Sequence, residues 1–340
     1  MACESPRDDA ETGWVLVASS PVTEAVSELT GEVPVDGSES PGLHLRAADL
    51  LAISIPLLFG SALISGPDRT REVWISFFWL LFAAVLGVVG RLIASRSAHW
   101  AAQAAGSYYI IVNVYLSYRH VSPLIDRVSP VVYDRDLQAI DQWIFGTQPS
   151  IWLERFHHPW LTEILFISYS LFFFWQVALG TLLFLKKRQD FHAYVLLVVA
   201  FYLLSYVMYL MVPAIGPRFD LLSQYQYPLT GVFLAKHIEA SFIDIPMVRD
   251  CFPSGHTGLT LLTLYQAWRS GMKKFFFIML PFGMLLIFST VYCRFHYVVD
   301  LLCALPFLTG ILLLRHGLLT ALPDGITVPL RRRALARASA

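Results

Sequence analysis

The 340-residue sequence is poor in charge: 15% of its residues are Asp, Glu, Lys or Arg, against about 25% in an ordinary soluble domain. It also lacks an excess of either sign, with 25 basic and 25 acidic residues. A nucleic-acid backbone is bound by a basic surface, so nucleic acid is excluded as a partner. Cysteine is scarce. Cys3, Cys251, Cys293 and Cys303 form no CxxC pair and no metal-ligand spacing, which excludes a disulfide framework and a zinc finger, while a single Cys251–Cys293 bridge stays open. The first 45 residues have no basic stretch followed by an apolar one, which excludes a secretory signal peptide. Rich in Glu, Asp, Ser, Pro and Gly, residues 1–45 read as a disordered tail.

What the chain does have is apolar residues: 56% are hydrophobic and 14% aromatic, with a mean hydropathy of +0.57. Eight stretches are long and apolar enough, or nearly so, to cross a bilayer: 47–66, 73–93, 100–118, 161–185, 191–213, 256–269, 274–293 and 296–315. The sixth is short. The third carries Gln103, Ser107 and Asn113, which mark a face turned into the bundle. The expected fold is all-α, a polytopic membrane helix bundle.

Basic residues orient it. Lys186, Lys187 and Arg188 fill one short loop, Arg269, Lys273 and Lys274 another, and Arg315, Arg331, Arg332, Arg333 and Arg337 the C-terminal segment. Helix parity puts all three clusters, and both termini, on one side, which the positive-inside rule makes cytoplasmic. The same parity gathers "GPRFD", "PSGH", Arg294, His296 and Asp300 on the opposite, extracytoplasmic or lumenal face. The expectation is a multi-pass protein of a bacterial inner membrane or a eukaryotic endomembrane. Polar residues concentrated at one end, and no internal repeat, argue against a secondary transporter.

His296 and Asp300 stand four apart, so on a helix they share a face. The carboxylate can fix the imidazole tautomer and leave the other nitrogen as a nucleophile. In "FPSGH", Gly255 lets the backbone come close and the helix that follows offers free N–H groups, an arrangement that holds phosphate. His256 is placed to protonate a leaving oxygen. Arg218 and Arg294 bring planar guanidinium forks that match phosphate oxygens. Together these residues make a site for phosphoryl transfer through a phosphohistidine, with no metal or other cofactor required.

Over residues 100–315 the chain resembles the type 2 phosphatidic acid phosphatase superfamily of membrane enzymes, whose motifs appear here in order as "PSGH" at 253–256 and "HYVVD" at 296–300. The resemblance implies a six-helix core preceded by about two additional transmembrane helices (46–99) and followed by a basic tail (316–340). It implies that His296 is the nucleophile, Asp300 its orienting partner and His256 the general acid. Ser254, Gly255, Arg218 and Arg294 become phosphate contacts. The sequence departs from the family's KxxxxxxRP motif, with Met211 at the lysine position and Phe219 at that of the proline. It departs from SRxxxxxHxxxD with Thr290 after Ser289, and Arg294 is expected to take over from that arginine.

These departures resemble the inositol phosphorylceramide synthase branch, where a lipid alcohol rather than water resolves the intermediate. The implied partners are a lipid phosphate or phospholipid donor and a lipid alcohol acceptor. Lipid phosphate hydrolysis is the alternative, and a non-enzymatic lipid-binding or transport protein the reading from another class. "YDRD" at 133–136, with Asp141, reads as a solvated acidic surface rather than a metal site, and His157 and His158 as membrane-interface residues.

Overall fold

The computed structural model describes residues 42–67, 69–237, 249–321 and 326–329. Most of the stretch expected to be disordered, residues 1–41, lies outside the described residues, as does most of the basic tail.

The bundle is built of α1 (Ala47–Ser65), α2 (Arg71–Arg96), α3 (Trp100–His120), the short α4 (Ser122–Val128) and α5 (Asp134–Phe145), then α6 (Pro159–Ser170), α7 (Phe172–Lys186), α8 (Arg188–Met211), α9 (Gly255–Arg269), α10 (Lys273–Tyr292) and α11 (Val298–Ala321). Among the described residues, α1, α2, α8, α10 and α11 are long and apolar enough to span a membrane, and α6 with α7, bent by 41° at their junction, pass the same test as a pair. The two remaining expected spans, α3 and α9, do form as helices. Both owe their lower hydropathy to contacts with protein: α3 buries Ser107, Asn113 and Ser117, and α9 buries Thr257, Thr260, Thr263 and Gln266. Prolines inside α1, α10 and α11 (Pro56, Pro281, Pro306) are tolerated, as they are where neighbouring helices cover the freed carbonyls.

In lipid there is little hydrophobic drive to bring helices together, so close approach and buried polar contacts matter more. Gly258 illustrates the first: a Cβ there would collide with the Phe201 ring, so glycine lets α9 lie directly on α8. The second is seen where α1, α2 and α3 meet. Asp49 accepts from Tyr109 Oη at 2.7 Å and pairs with Arg91 Nε at 3.2 Å, all three side chains buried. One apolar cluster, with Ile55, Phe59, Leu80, Tyr109, Leu196 and Tyr206, joins these helices to α8.

Gly42–Leu45 is a correction to the expected disordered tail: it forms β1, which pairs antiparallel with β2 (Ile326–Pro329) in the register Gly42↔Pro329 to Leu45↔Ile326. The ladder satisfies backbone groups that an isolated extended segment would leave to water. The chain therefore enters and leaves the bundle at one end, as an even number of crossings requires.

Candidate active site

The other end of the bundle holds a cavity of about 230 Å³ whose lining includes His256, His296, Arg218 and Gly255. Four of the seven expected site residues thus converge, although they are separated by up to 78 positions in the chain (218 to 296).

The local folding explains the convergence. Ser254 is the N-cap of α9, its hydroxyl accepting from Thr257 N at 3.2 Å, so the helix begins at Gly255 and His256 sits in its first turn. The amides of Gly255 and His256 have no intrahelical acceptor. A Cβ on Gly255 would meet only Tyr209 Oη, at 3.6 Å, so this glycine keeps the mouth open rather than admitting a tight contact. The turn is tied to the second motif by Ser254 N, which donates to the Asp300 carbonyl at 3.1 Å.

His296 Nδ1 lies 3.3 Å from Asp300 Oδ2. That same oxygen accepts from Tyr297 N and from Cys251 Sγ, each at 2.9 Å. A carboxylate held by three donors cannot swing away, so the imidazole is oriented with Nε2 left for chemistry. The His256 and His296 rings stand 5.8 Å apart, within reach of one phosphoryl group. The bend between α6 and α7 puts Tyr169 and Phe172 against His256, at 4.4 and 4.3 Å between ring centres. Phe295 stacks on Tyr169 at 4.3 Å, and the Arg218 guanidinium lies 5.2 Å from the Phe295 ring.

Arg294 is elsewhere. Its φ of 65° lies in the left-handed region, and its guanidinium pairs with Glu154 at 2.9 Å and donates to the Tyr227 carbonyl at 2.6 Å. It stacks over Tyr225, 3.7 Å from the ring centre, and is not among the residues lining the cavity. Nearness in sequence to His296 does not carry over to nearness in the site. Another cation does line the cavity, Arg119 at the end of α3. No pattern in the sequence marks it.

Asp250 is a second lining residue outside the expected set. It accepts from Tyr118 Oη at 2.5 Å, and burial pushes its carboxyl up from the usual range. Its one sequence signal is position, an acid directly ahead of "CFPSGH".

The expectation of a solvated acidic surface at 133–141 is overturned for two of its residues. Asp134 and Asp141, seven apart on one face of α5, are both buried. Asp134 accepts from Ile215 N at 2.9 Å and Gly216 N at 2.8 Å, fixing the turn that carries Arg218. At Gly216, φ is 84° and a Cβ would come within 2.8 Å of the Phe295 carbonyl, so only glycine fits that turn. Asp141 accepts from Val298 N and Val299 N, both at 2.8 Å, and so caps α11 beside His296 and Asp300. The two aspartates brace both halves of the site.

His158 caps α6, accepting from Trp160 N at 3.3 Å, and His157 stacks on Tyr227 at 5.6 Å. Cys251 and Cys293 are thiols with no bond between them. Burial, with Asp300 nearby, pushes the Cys251 thiol well up, so it stays protonated and donates. Cys251, His296 and Asp300 each offer one ligand atom within 4.8 Å of the others, a donor set that zinc accepts. A cation there would break the contact between His296 and Asp300.

Two histidines, the carboxyl of Asp250 and two arginines thus line one cavity of an apolar multi-pass bundle, groups whose chemistry suits a phosphate ester. The family model of the PAP2 superfamily matches residues 135–314, more than half of the chain, and the protein belongs to that superfamily. No curated protein and no solved structure matches the chain.

Proposed function

We propose that the protein transfers a phosphate-bearing group from a lipid through a covalent intermediate on His296, and that a lipid alcohol is the acceptor. One observation carries the reading: the His256 and His296 rings, 5.8 Å apart, line the same cavity as Arg218. With its Nδ1–H hydrogen-bonded to Asp300, neutral His296 attacks phosphorus through the Nε2 lone pair as the bond to the leaving oxygen breaks, and Asp300 offsets the positive charge that the ring takes on. His256, protonated, gives that oxygen its proton. In the second half His256 takes the proton of the acceptor hydroxyl, which displaces His296 from phosphorus. Arg218 and Arg119 face the charge on the non-bridging oxygens. Ser254 acts through the helix it caps, Gly255 by keeping the mouth open.

Transfer is favoured over hydrolysis by the lining. Tyr169, Phe172 and Phe295 enclose the imidazoles, and the cavity shares Val114, Tyr115, Phe173 and Tyr202 with an apolar groove between α3, α7 and α8. A lipid alcohol reaches such a site along the groove, whereas water is disfavoured there. This agrees with the resemblance of "HYVVD" to the inositol phosphorylceramide synthase branch. The charge asymmetry of the three basic clusters supports an extracytoplasmic or lumenal site.

The test uses purified protein in liposomes with phosphatidic acid or phosphatidylinositol as donor, with and without ceramide or diacylglycerol, and products identified by mass. A new phospholipid formed only with the alcohol is expected, and His296→Ala is expected to lower turnover by about 10⁴-fold. Free phosphate indifferent to added alcohol would make the protein a phosphatase. Near-normal turnover by His296→Ala would sink the mechanism.

A further inference from the structure

The bundle has a second polar cavity, of about 460 Å³, at the end opposite the histidines. On α8 it is lined by His192, while the catalytic cavity is lined by Tyr209, 17 residues on, or about 25 Å of helix. Four arginines face it, Arg46, Arg91, Arg269 and Arg315, against two aspartates, Asp49 and Asp190. These charges are not evenly matched. Asp49 is spent on Arg91, on Tyr109 and on the Arg46 amide, at 3.2, 2.7 and 2.8 Å. The Arg46 guanidinium reaches, among the described residues, only His192 Nδ1, at 3.3 Å. Among the described residues, no carboxylate lies within ion-pair distance of Arg46, Arg269 or Arg315, and Arg315 Nε is buried without a hydrogen-bond partner. Burial and then the neighbouring Arg91 push Arg46 down to about 10. Several guanidinium forks converging on one space match the oxygens of a phosphate.

The cavity also continues into hydrocarbon-like space. It shares Ser107, Ile110, Phe191 and Val195 with the apolar groove of about 290 Å³ between α3, α7 and α8, the same groove that opens at its far end into the catalytic cavity. A soluble anion would use the arginines and leave the groove empty. We propose that this basic cavity binds the phosphate headgroup of an anionic lipid from the leaflet opposite the catalytic site, with a hydrocarbon chain of that lipid lying in the groove. Arg46 and Arg91 come from helices outside the matched family region, so the site is assembled between α1 and α2 and the family core. Its occupant would touch the residues of α3 and α8 that also border the catalytic cavity. The site does not depend on the catalytic reading.

Native mass spectrometry of the full-length chain in detergent tests this, with phosphatidic acid and phosphatidylcholine as probes and His296→Ala as background to stop turnover. The expected result is two retained phosphatidic acid molecules in preference to phosphatidylcholine. Arg269→Gln with Arg315→Gln, or Arg315→Gln alone should the pair fail to fold, removes one of them, with affinity at that site falling about tenfold or more. Arg218→Gln removes the other. Retention unchanged by the Arg269 and Arg315 substitutions overturns the proposal while leaving the catalytic site standing. Loss only with Arg218→Gln overturns it equally. Displacement by millimolar inorganic phosphate from the Arg269/Arg315 site would overturn the lipid assignment in favour of a soluble anion.

Discussion

Asp141 offers a test of how the site is held, because nothing it touches is substrate. Its two carboxylate oxygens accept from Val298 N and Val299 N at 2.8 Å each, and these amides open α11 two residues past His296. Asp141→Ala leaves the buried Val299 amide and the half-buried Val298 amide without an acceptor, at about 1–3 kcal/mol each when fully buried. Against that, burial pushes the Asp141 carboxyl up, so part of the gain is already offset by desolvation. The lower end of the range is expected, about 2 kcal/mol in all, or a melting temperature about 3 °C lower for a chain of this length. Asp141→Asn keeps one acceptor oxygen and should lose about half as much. The frayed helix start would let the His296 imidazole drift, and a displacement near 1 Å costs about 10²-fold in turnover with little change in KM. The assay is a thermal melt in detergent beside lipid turnover, with the exposed Asp136 of the same helix, changed to Ala, as control. If Asp141→Ala melts and turns over like Asp136→Ala, the brace is not what holds the site.

Further outcomes separate the remaining residues. Arg218→Gln and Arg119→Gln should each raise KM and lower turnover by about 10²-fold. Arg294→Gln should instead destabilise by about 3 kcal/mol, because it leaves Glu154 buried without its cation, while KM stays near that of the wild type; a large KM effect from Arg294→Gln would return it to the phosphate site. The raised Asp250 carboxyl means that the folded state prefers the protonated form, so its favourable contribution is full below the unfolded value and is lost as pH rises through the folded one. Asp250→Asn should therefore melt higher than the wild type at pH 7, and the gap should close on acidification; a constant gap across pH would refute this. Zinc should inhibit turnover through Cys251, His296 and Asp300, chelator should reverse it, and Cys251→Ser should weaken it. Inhibition unaltered by Cys251→Ser would place the metal elsewhere.

The membrane crossings were legible because hydropathy reports directly on contact with lipid, and the ends of α1 and α3 lie within two residues of the expected ones. The bend at Leu171 was not: "SYSLFFFW" reads as one unbroken apolar run, and neither a proline nor a glycine marks the break that sets Tyr169 and Phe172 against His256. His256 and Gly255 line the cavity expected of them because they belong to a motif whose local geometry travels with it, while Arg218, whose own motif is altered at Met211 and Phe219, is held there by the turn that Asp134 fixes. Arg294 has no such motif. Its direction depends on one left-handed residue and on Glu154, 140 positions away. Asp134 and Asp141 carried a readable sign, a helical spacing of seven, but polar composition around them suggested solvent. Arg119 gave no local sign and Asp250 only its place directly ahead of "CFPSGH", since what makes them part of the site is a fold that closes over long sequence distances.

The ribbon of β1 and β2 fixes the arithmetic of the bundle. Because the strand before the first span is hydrogen-bonded to the strand after the last, inserting or deleting one crossing would strand them on opposite sides of the bilayer. Helices can join this chain at its amino end only two at a time, and α1 with α2 is such a pair. A lineage that keeps the clasp is thus restricted to growth by hairpins, and the two strands stay at one end of the bundle however many hairpins it gains.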